Sequence, residues 1–267
     1  MKIYISTDLE GISGVTSFDQ TRDRGNPMFE EARHLLMGDC NAAVQGCLDG
    51  GATEIVVMDG HGGGFNFIPS EMHPGATWAP GRGRPTAHIG LDDTFDAAIF
   101  LGYHAMNGTE TGVLHHTQSS AAECKYWYND VESGEIAQSA IVCGHFGVPV
   151  VMVTGDDACC AEGKRFLGAC GEAGEQIVTV SVKEGYSRES CRMIAPSKAV
   201  ELIRGGAAKA MGVIGQCRPY RIEFPAKGRL QLKDKETADA YGGAASQRVD
   251  ERTFERIIES PLDIYRF

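Results

Sequence analysis

Lys2-Ile3-Tyr4-Ile5-Ser6-Thr7, followed at once by Asp8-Leu9-Glu10-Gly11, decides the fold. An apolar, β-branched and aromatic run reads as a strand buried on both faces, the kind found centrally in a parallel sheet. Asp8 then stands at its carboxyl end. In open α/β sheets the ligand crevice lies outside the carboxyl ends of the strands. Two carboxylates there, with a glycine that lets the backbone turn away, are placed for chemistry.

Later runs repeat the arrangement. Glu54-Ile55-Val56-Val57-Met58 leads into Asp59-Gly60-His61, and Ala97-Ala98-Ile99-Phe100-Leu101 leads into Gly102-Tyr103-His104. A single Asp or His after a strand is an ordinary turn residue. Three strands that deliver Asp8 with Glu10, His61 and His104 to one edge form a candidate metal site of carboxylate and imidazole. A further strand, Pro149–Val153, ends at Gly155-Asp156-Asp157 on the same edge, where one aspartate caps the next helix, to about Cys170, and the other is free to support the site.

The fold expected is α/β, three-layered, with a mostly parallel central sheet, helices on both faces and a smaller C-terminal portion. Its division would be a metal-binding core over 1–190 and an α+β portion over 191–267 packed on it, or one continuous domain. Phe29–Leu48 reads as the helix that crosses between the first two strands and ends at Gly50-Gly51. Gly60–Gly64 lacks the Gly-Lys-Ser/Thr ending of a phosphate loop and reads as a backbone turn around His61. Residues 69–90 read as an irregular crossing with His73 and His88 at the surface. In Gly112-Val113-Leu114-His115-His116 adjacent side chains point to opposite sides, so one histidine can enter a site while the other is structural.

Cys124–Asp130 reads as a strand and turn, and Glu135 opens a helix over Ile136–His145, a first-turn position that the helix dipole favours on its own account. A strand over Gln176–Val182, a helix over Pro196–Met211, a strand over Tyr220–Phe224 and a short helix over Thr253–Ile258 complete the expected elements.

Composition bounds the partners. A net charge of −11 and no clustered Lys and Arg argue against nucleic acid and against an anionic membrane surface. The chain opens directly on a strand rather than on a secretory signal, and no apolar run could span a bilayer, so the expected location is cytoplasmic. Nine cysteines, odd in number and irregularly spaced, read as small buried hydrophobes in a reducing compartment.

With Ser6-x-Asp8-x-Glu10-Gly-Ile-Ser-Gly14, His61, Leu101-Gly-Tyr-His-Ala105, Gly134-Glu135 and Gly155-Asp-Asp157 together, most of the chain resembles the zinc-dependent D-aminopeptidase family. The resemblance implies two Zn2+ ions per subunit, with Asp8 bridging them and Glu10, His61, His104 and Glu135 completing the ligand set. It implies a catalytic histidine at His116 by the Gly-Val-x-x-His spacing. Small peptides with an N-terminal D-residue would be the substrates, and a large ring-like homo-oligomer, a decamer, the assembly. Two departures stand out. The family's His-Ser-His after the second strand is here His61-Gly62-Gly63, and the serine before the catalytic histidine is His115, which leaves both His115 and His116 as candidates.

Two rival functions compete. Asp8-Leu9-Glu10-Gly11 echoes the Asp-x-Asp-Gly start of haloacid-dehalogenase-type phosphatases, but that chemistry wants a second aspartate and oxygen ligands for magnesium, and Glu10 with two strand-end histidines suits zinc better. A non-catalytic metal- or peptide-binding module is the other. Structural zinc sites are usually closed and cysteine-rich, unlike this set.

Overall fold

A computed structural model describes residues 1–168, 177–242 and 246–267. In chain order its first half contains β1 (Lys2–Thr7), α1 (Asp19–Arg22), α2 (Pro27–Asp49), β2 (Glu54–Asp59), β3 (Thr77–Ala79), β4 (Ala97–Leu101), β5 (Lys125–Tyr128) and β6 (Val131–Ser133). Then follow α3 (Glu135–His145), β7 (Val150–Asp156), α4 (Asp157–Leu167), β8 (Val178–Ser187), β9 (Ser190–Met193) and α5 (Pro196–Met211). The last elements are β10 (Ala226–Gln231), α6 (Lys235–Ala240), β11 (Gln247–Arg248) and β12 (Thr253–Ile258).

The larger sheet has the order β3-β2-β1-β4-β7-β8-β9 and is parallel except for β9, which runs antiparallel to β8. Sheet building proceeds to one side of β1 with β2 and to the other with β4. The switch point of the topology therefore falls between β1 and β4, where α/β sheets open their ligand crevice.

Alternation along β1 divides the core. Ile3 and Ile5 pack with Leu36, Cys40 and Val44 of α2 and Ile203 of α5. Tyr4 faces the other way, toward Phe100, Ile136 and Ile141 of α3, and the second sheet's Tyr128, Leu230 and Ile258. The expected three layers are present, with helices on both faces.

α2 starts as its sequence dictates, with Pro27 in the first turn and Asn26 accepting from Met28 N–H, and it ends at Gly50. The second sheet, β11-β12-β10-β5-β6, is antiparallel throughout. Its β5–β6 hairpin turns through Asn129 and Asp130 with φ of 50° and 64°, the left-handed pair that these two residue types tolerate. This sheet takes strands from both sides of residue 190, and α5 packs on α2, so residues 1–190 and 191–267 share both layers.

Four local expectations are corrected. Tyr220–Phe224 forms no strand. Prolines at 219 and 225 bracket it, and Glu223 O accepts from the Asn129 side chain rather than from a neighbouring strand. Thr253–Ile258 is β12, not a helix, because Phe254 and Ile258 share a face in either conformation and pairing with β10 decides between them. The crossing over 69–90 contains β3, and β8 runs on to Ser187. α4 stops at Leu167, and the expected helix end at Cys170 and strand start at Gln176 lie outside the described residues.

The described cysteines are free thiols, six of them buried. Among the described residues no helix is long and apolar enough to cross a membrane.

Two glycines set how closely the loops at the switch point approach. A Cβ on Gly11 would lie 1.9 Å from Tyr103 O, and one on Gly102, at φ 72°, would lie 2.6 Å from Asp8 O. Both obstacles are backbone and cannot turn aside. Gly11→Ala is expected to lower unfolding free energy by at least ~2 kcal/mol, read by denaturant titration. A change under ~0.5 kcal/mol would show that the loops can separate freely.

Candidate active site

Backbone hydrogen bonds lace the strand ends together. Asp8 N–H donates to Leu101 O at 2.8 Å, Gly11 N–H to Gly102 O at 2.7 Å, and Gly60 N–H to Thr7 O at 2.9 Å. The loops after β1, β2 and β4 thus converge, and the β5–β6 hairpin delivers the first turn of α3 to the same place.

Asp8, Glu10, His61, His104, Glu135 and His116 meet there. His104 Nε2 lies 3.3 Å from Asp8 Oδ2 and 3.4 Å from Glu135 Oε1, and His61 Nε2 lies 3.3 Å from Glu10 Oε1. The His104 and His116 rings stack at 4.0 Å, 11° from parallel. His115 is turned away, accepting from Gly108 N–H through Nδ1 at 3.1 Å.

The aspartates after β7 act through other groups. Asp156 caps α4 by accepting from Cys159 N–H and also accepts from Val113 N–H in the loop that leads to His116, while Asp157 accepts from Gly185 N–H. His88, expected at the surface, is instead buried between the rings of Tyr4 and Tyr265, with neither ring nitrogen hydrogen-bonded. His73 is half-buried, its Nε2 3.2 Å from Gln45 Oε1.

Charge is the dominant feature of the cluster. Burial and the neighbouring Glu10 push Asp8 up to about 7. Burial works the same way on Glu10 and Glu135, but the facing imidazoles outweigh it. His61 holds Glu10 well below the carboxylate range, and His104 brings Glu135 down to about 2. Burial would lower His61, yet Glu10 raises it to about 9. His116 is pushed down to about 4 by burial and by His104, and stays neutral.

The imidazoles are oriented from behind. Nδ1 of His104 is 3.0 Å from Ala105 O, and Nδ1 of His116 is 2.8 Å from Leu114 O. Donation to those carbonyls places a proton on Nδ1 in both rings and leaves Nε2 of the neutral His116 as a bare lone pair. Nε2 of His104, Nδ1 of His61 and Oε2 of Glu10 are all buried with no hydrogen-bond partner. Burial would lower His104, yet the facing Asp8 and Glu135 raise it well above the usual imidazole range, and a cation bound among these groups would take the place of the proton that its Nε2 otherwise carries. These donors suit a borderline cation such as zinc, and two groups, Asp8 with Glu10 and His104, and His104 with His116 and Glu135, each bring their ligand atoms within 4.8 Å of one another.

Several supporting residues escaped the sequence reading. Lys183 is fully buried and its ammonium donates to the carbonyls of Glu10 (2.7 Å), Ile12 (3.1 Å) and Val15. Val178, Val180 and Val182 alternate inward, which places Lys183 on the outward face by count. A register shift against β7 turns it inward, and no local pattern announces that shift. Gln118 N–H donates to Glu135 Oε1 at 2.6 Å, and Asn66 ties Asp59 to His61 O.

Carboxylates and imidazoles gathered at the switch point of a mostly parallel α/β sheet are the arrangement of a hydrolytic metalloenzyme. The chain belongs to the D-aminopeptidase family, whose profile matches residues 1–267. It is 34% identical over 212 residues to a D-aminopeptidase of Bacillus subtilis (strain 168), covering 79% of this chain and 74% of that protein. Its structure is similar to the Zn-dependent D-aminopeptidase DppA from Bacillus subtilis, a self-compartmentalizing protease. That match has a TM-score of 0.89 and 29% identity, over 99% of this chain and 94% of that one.

Lys183→Met keeps the side chain's length while stranding three carbonyls of the loop that carries Glu10. It is expected to cost on the order of 3 kcal/mol in chemical denaturation. Stability within ~0.5 kcal/mol of the parent would mean that the loop holds its shape without the ammonium.

His88 supplies a pH test. Burial lowers it to about 4, from near 6.5 unfolded, so its share of stability is complete above pH ~6.5 and is lost as pH falls toward 4. His88→Gln is expected to flatten the stability curve across that window. An unchanged slope would contradict the buried neutral ring.

Proposed function

We propose that this protein is a dinuclear zinc aminopeptidase that removes the N-terminal D-residue from short peptides, D-Ala-type dipeptides among them. It would work as a large ring-like homo-oligomer, a decamer, inside the cytoplasm. The observation that carries the metal reading is His104 Nε2, a buried ring nitrogen without a hydrogen bond that faces Asp8 and Glu135 at 3.3 and 3.4 Å. Family membership carries the D-specificity, and the self-compartmentalizing relative supports the assembly.

Asp8 would be shared between two zinc ions, with Glu10, His61, His104 and Glu135 completing the ligand set. Paired zinc ions supply a polarised scissile carbonyl, an activated water and an anchor for the substrate's free amine. The chain's own residues do the rest. Leu9 N–H donates to Asp8 Oδ1 at 2.9 Å and Gln118 N–H fixes Glu135, so both carboxylates are held before substrate arrives.

His116 is the proton carrier in this reading. With Nδ1 committed to Leu114 O, its Nε2 accepts a proton and passes it to the departing amine. Burial keeps the ring in its neutral, accepting form. His115 faces Gly108 and is held to a structural part.

The test is release of D-Ala from D-Ala-D-Ala against the L,L dipeptide, with enzyme as loaded, after chelation and after zinc return. Turnover of the D form alone, lost on chelation with the fold retained and restored by zinc, is the expected result. Two zinc ions bound with no turnover of either peptide would refute the substrate. His116→Ala is expected to keep its zinc and lose ~10²–10⁴-fold in kcat; full turnover would remove His116 from the proton path.

A further inference from the structure

Two cavities meet at the cluster, sharing Asp8 and Glu135 in their linings. The first, about 480 Å³, runs from Glu10, His61 and His116 out to Arg22 and Arg24. The second, about 350 Å³, is bounded by His88, Ser139, Tyr265 and Arg84. A peptide cleaved here must lay its free amine toward the cluster and send the leaving residue into one of these spaces.

Their cations differ in one respect. In the second cavity the arginines are already committed. Arg84 donates to the carbonyls of Gly81 and Asp59, and Arg266 pairs with Asp263 at 3.0 Å. In the first, the Arg22 guanidinium has no hydrogen bond or ion pair among the described residues. It sits 3.5 Å over the ring of Phe18, and Phe18 meets the His116 ring edge to face at 6.0 Å. Stacking on an aromatic face orients a guanidinium while leaving its five N–H donors free for a planar anion.

A chain with a net charge of −11 thus presents an uncommitted guanidinium in the lining of the cavity that holds Asp8, Glu10 and Glu135. A substrate with a free C-terminus close to the scissile bond brings a planar carboxylate into this cavity, and a guanidinium in its lining is the group that pairs with it.

Building on the function proposed above, we propose that Arg22, seated on Phe18, binds the C-terminal carboxylate of the leaving residue. Arg24 adds positive potential at the same rim without the stacking that would aim it, its guanidinium lying 5.7 Å from the Phe65 ring.

The experiment compares D-Ala-D-Ala with its C-terminal carboxamide, using zinc-loaded wild type, Arg22→Ala and Arg22→Lys. Calorimetric binding of the same two peptides to each protein accompanies the kinetics. Charge-assisted bonds of this kind correspond to ~10–100-fold. Wild type is expected to prefer the free acid by that factor. Arg22→Ala should lose most of the preference through KM, with kcat little changed, and Arg22→Lys should keep part of it.

An acid-to-amide ratio that Arg22→Ala leaves unchanged, in turnover and in binding, would overturn the proposal while leaving the D-aminopeptidase reading intact. Equal loss on both peptides would also overturn it, since the residue would then be acting on something other than the carboxylate. Neither turnover nor binding of either peptide by wild type would overturn both. Arg22-dependent binding without turnover would support the carboxylate site alone.

Discussion

Three carboxylates, Asp8 and Glu10 buried and Glu135 half-buried, meet in one cluster, and the rest of this sheet edge is arranged to hold them there against their repulsion. Two like charges about 4 Å apart repel by ~4 kcal/mol at an effective dielectric of about 20, which the chain has to offset with neighbours of the opposite sense. It does so in layers. Imidazoles face the carboxylates, backbone N–H groups of Leu9 and Gln118 fix Asp8 and Glu135, and the Lys183 ammonium clamps the loop behind Glu10. The carboxylates and ring nitrogens left without partners point at one another, which is the electrostatic demand that a bound cation meets.

The same constraint explains why the site sits where it does. Only at the switch point can loops from neighbouring strands diverge enough to leave a crevice and still exchange backbone hydrogen bonds at their roots. Gly11 and Gly102 permit that approach, and Gly62, Gly63 and Gly64, all with positive φ, turn the backbone after His61. The family's His-Ser-His gives way to glycines at this turn, so the departure falls on the backbone around His61 and leaves the imidazole itself in the cluster.

Much of this was legible in the residues. β1, β2, β4 and β7 are short apolar runs that end in ligand-type residues, and both their identity and their common edge follow from that pattern. Pro196–Met211 matches α5 residue for residue. What escaped is what depends on tertiary contact. Lys183 enters through a register shift, His88 is buried by a crossing with no periodicity, and β12 could be told from a helix only by its partner β10. Glu135 and His116 were named from the family resemblance, because a first-turn Glu and a histidine pair have adequate local explanations. Only the meeting of α3 with the loop after β4 brings them together.

The most direct test of the account is X-ray absorption at the zinc edge, with zinc counted per chain, on zinc-loaded wild type and Asp8→Ala. The account predicts about two zinc ions per chain in a shell of nitrogen and oxygen alone, and loss of both from the variant, because Asp8 is shared. Sulfur in the shell, or a variant that keeps its full zinc, would contradict it.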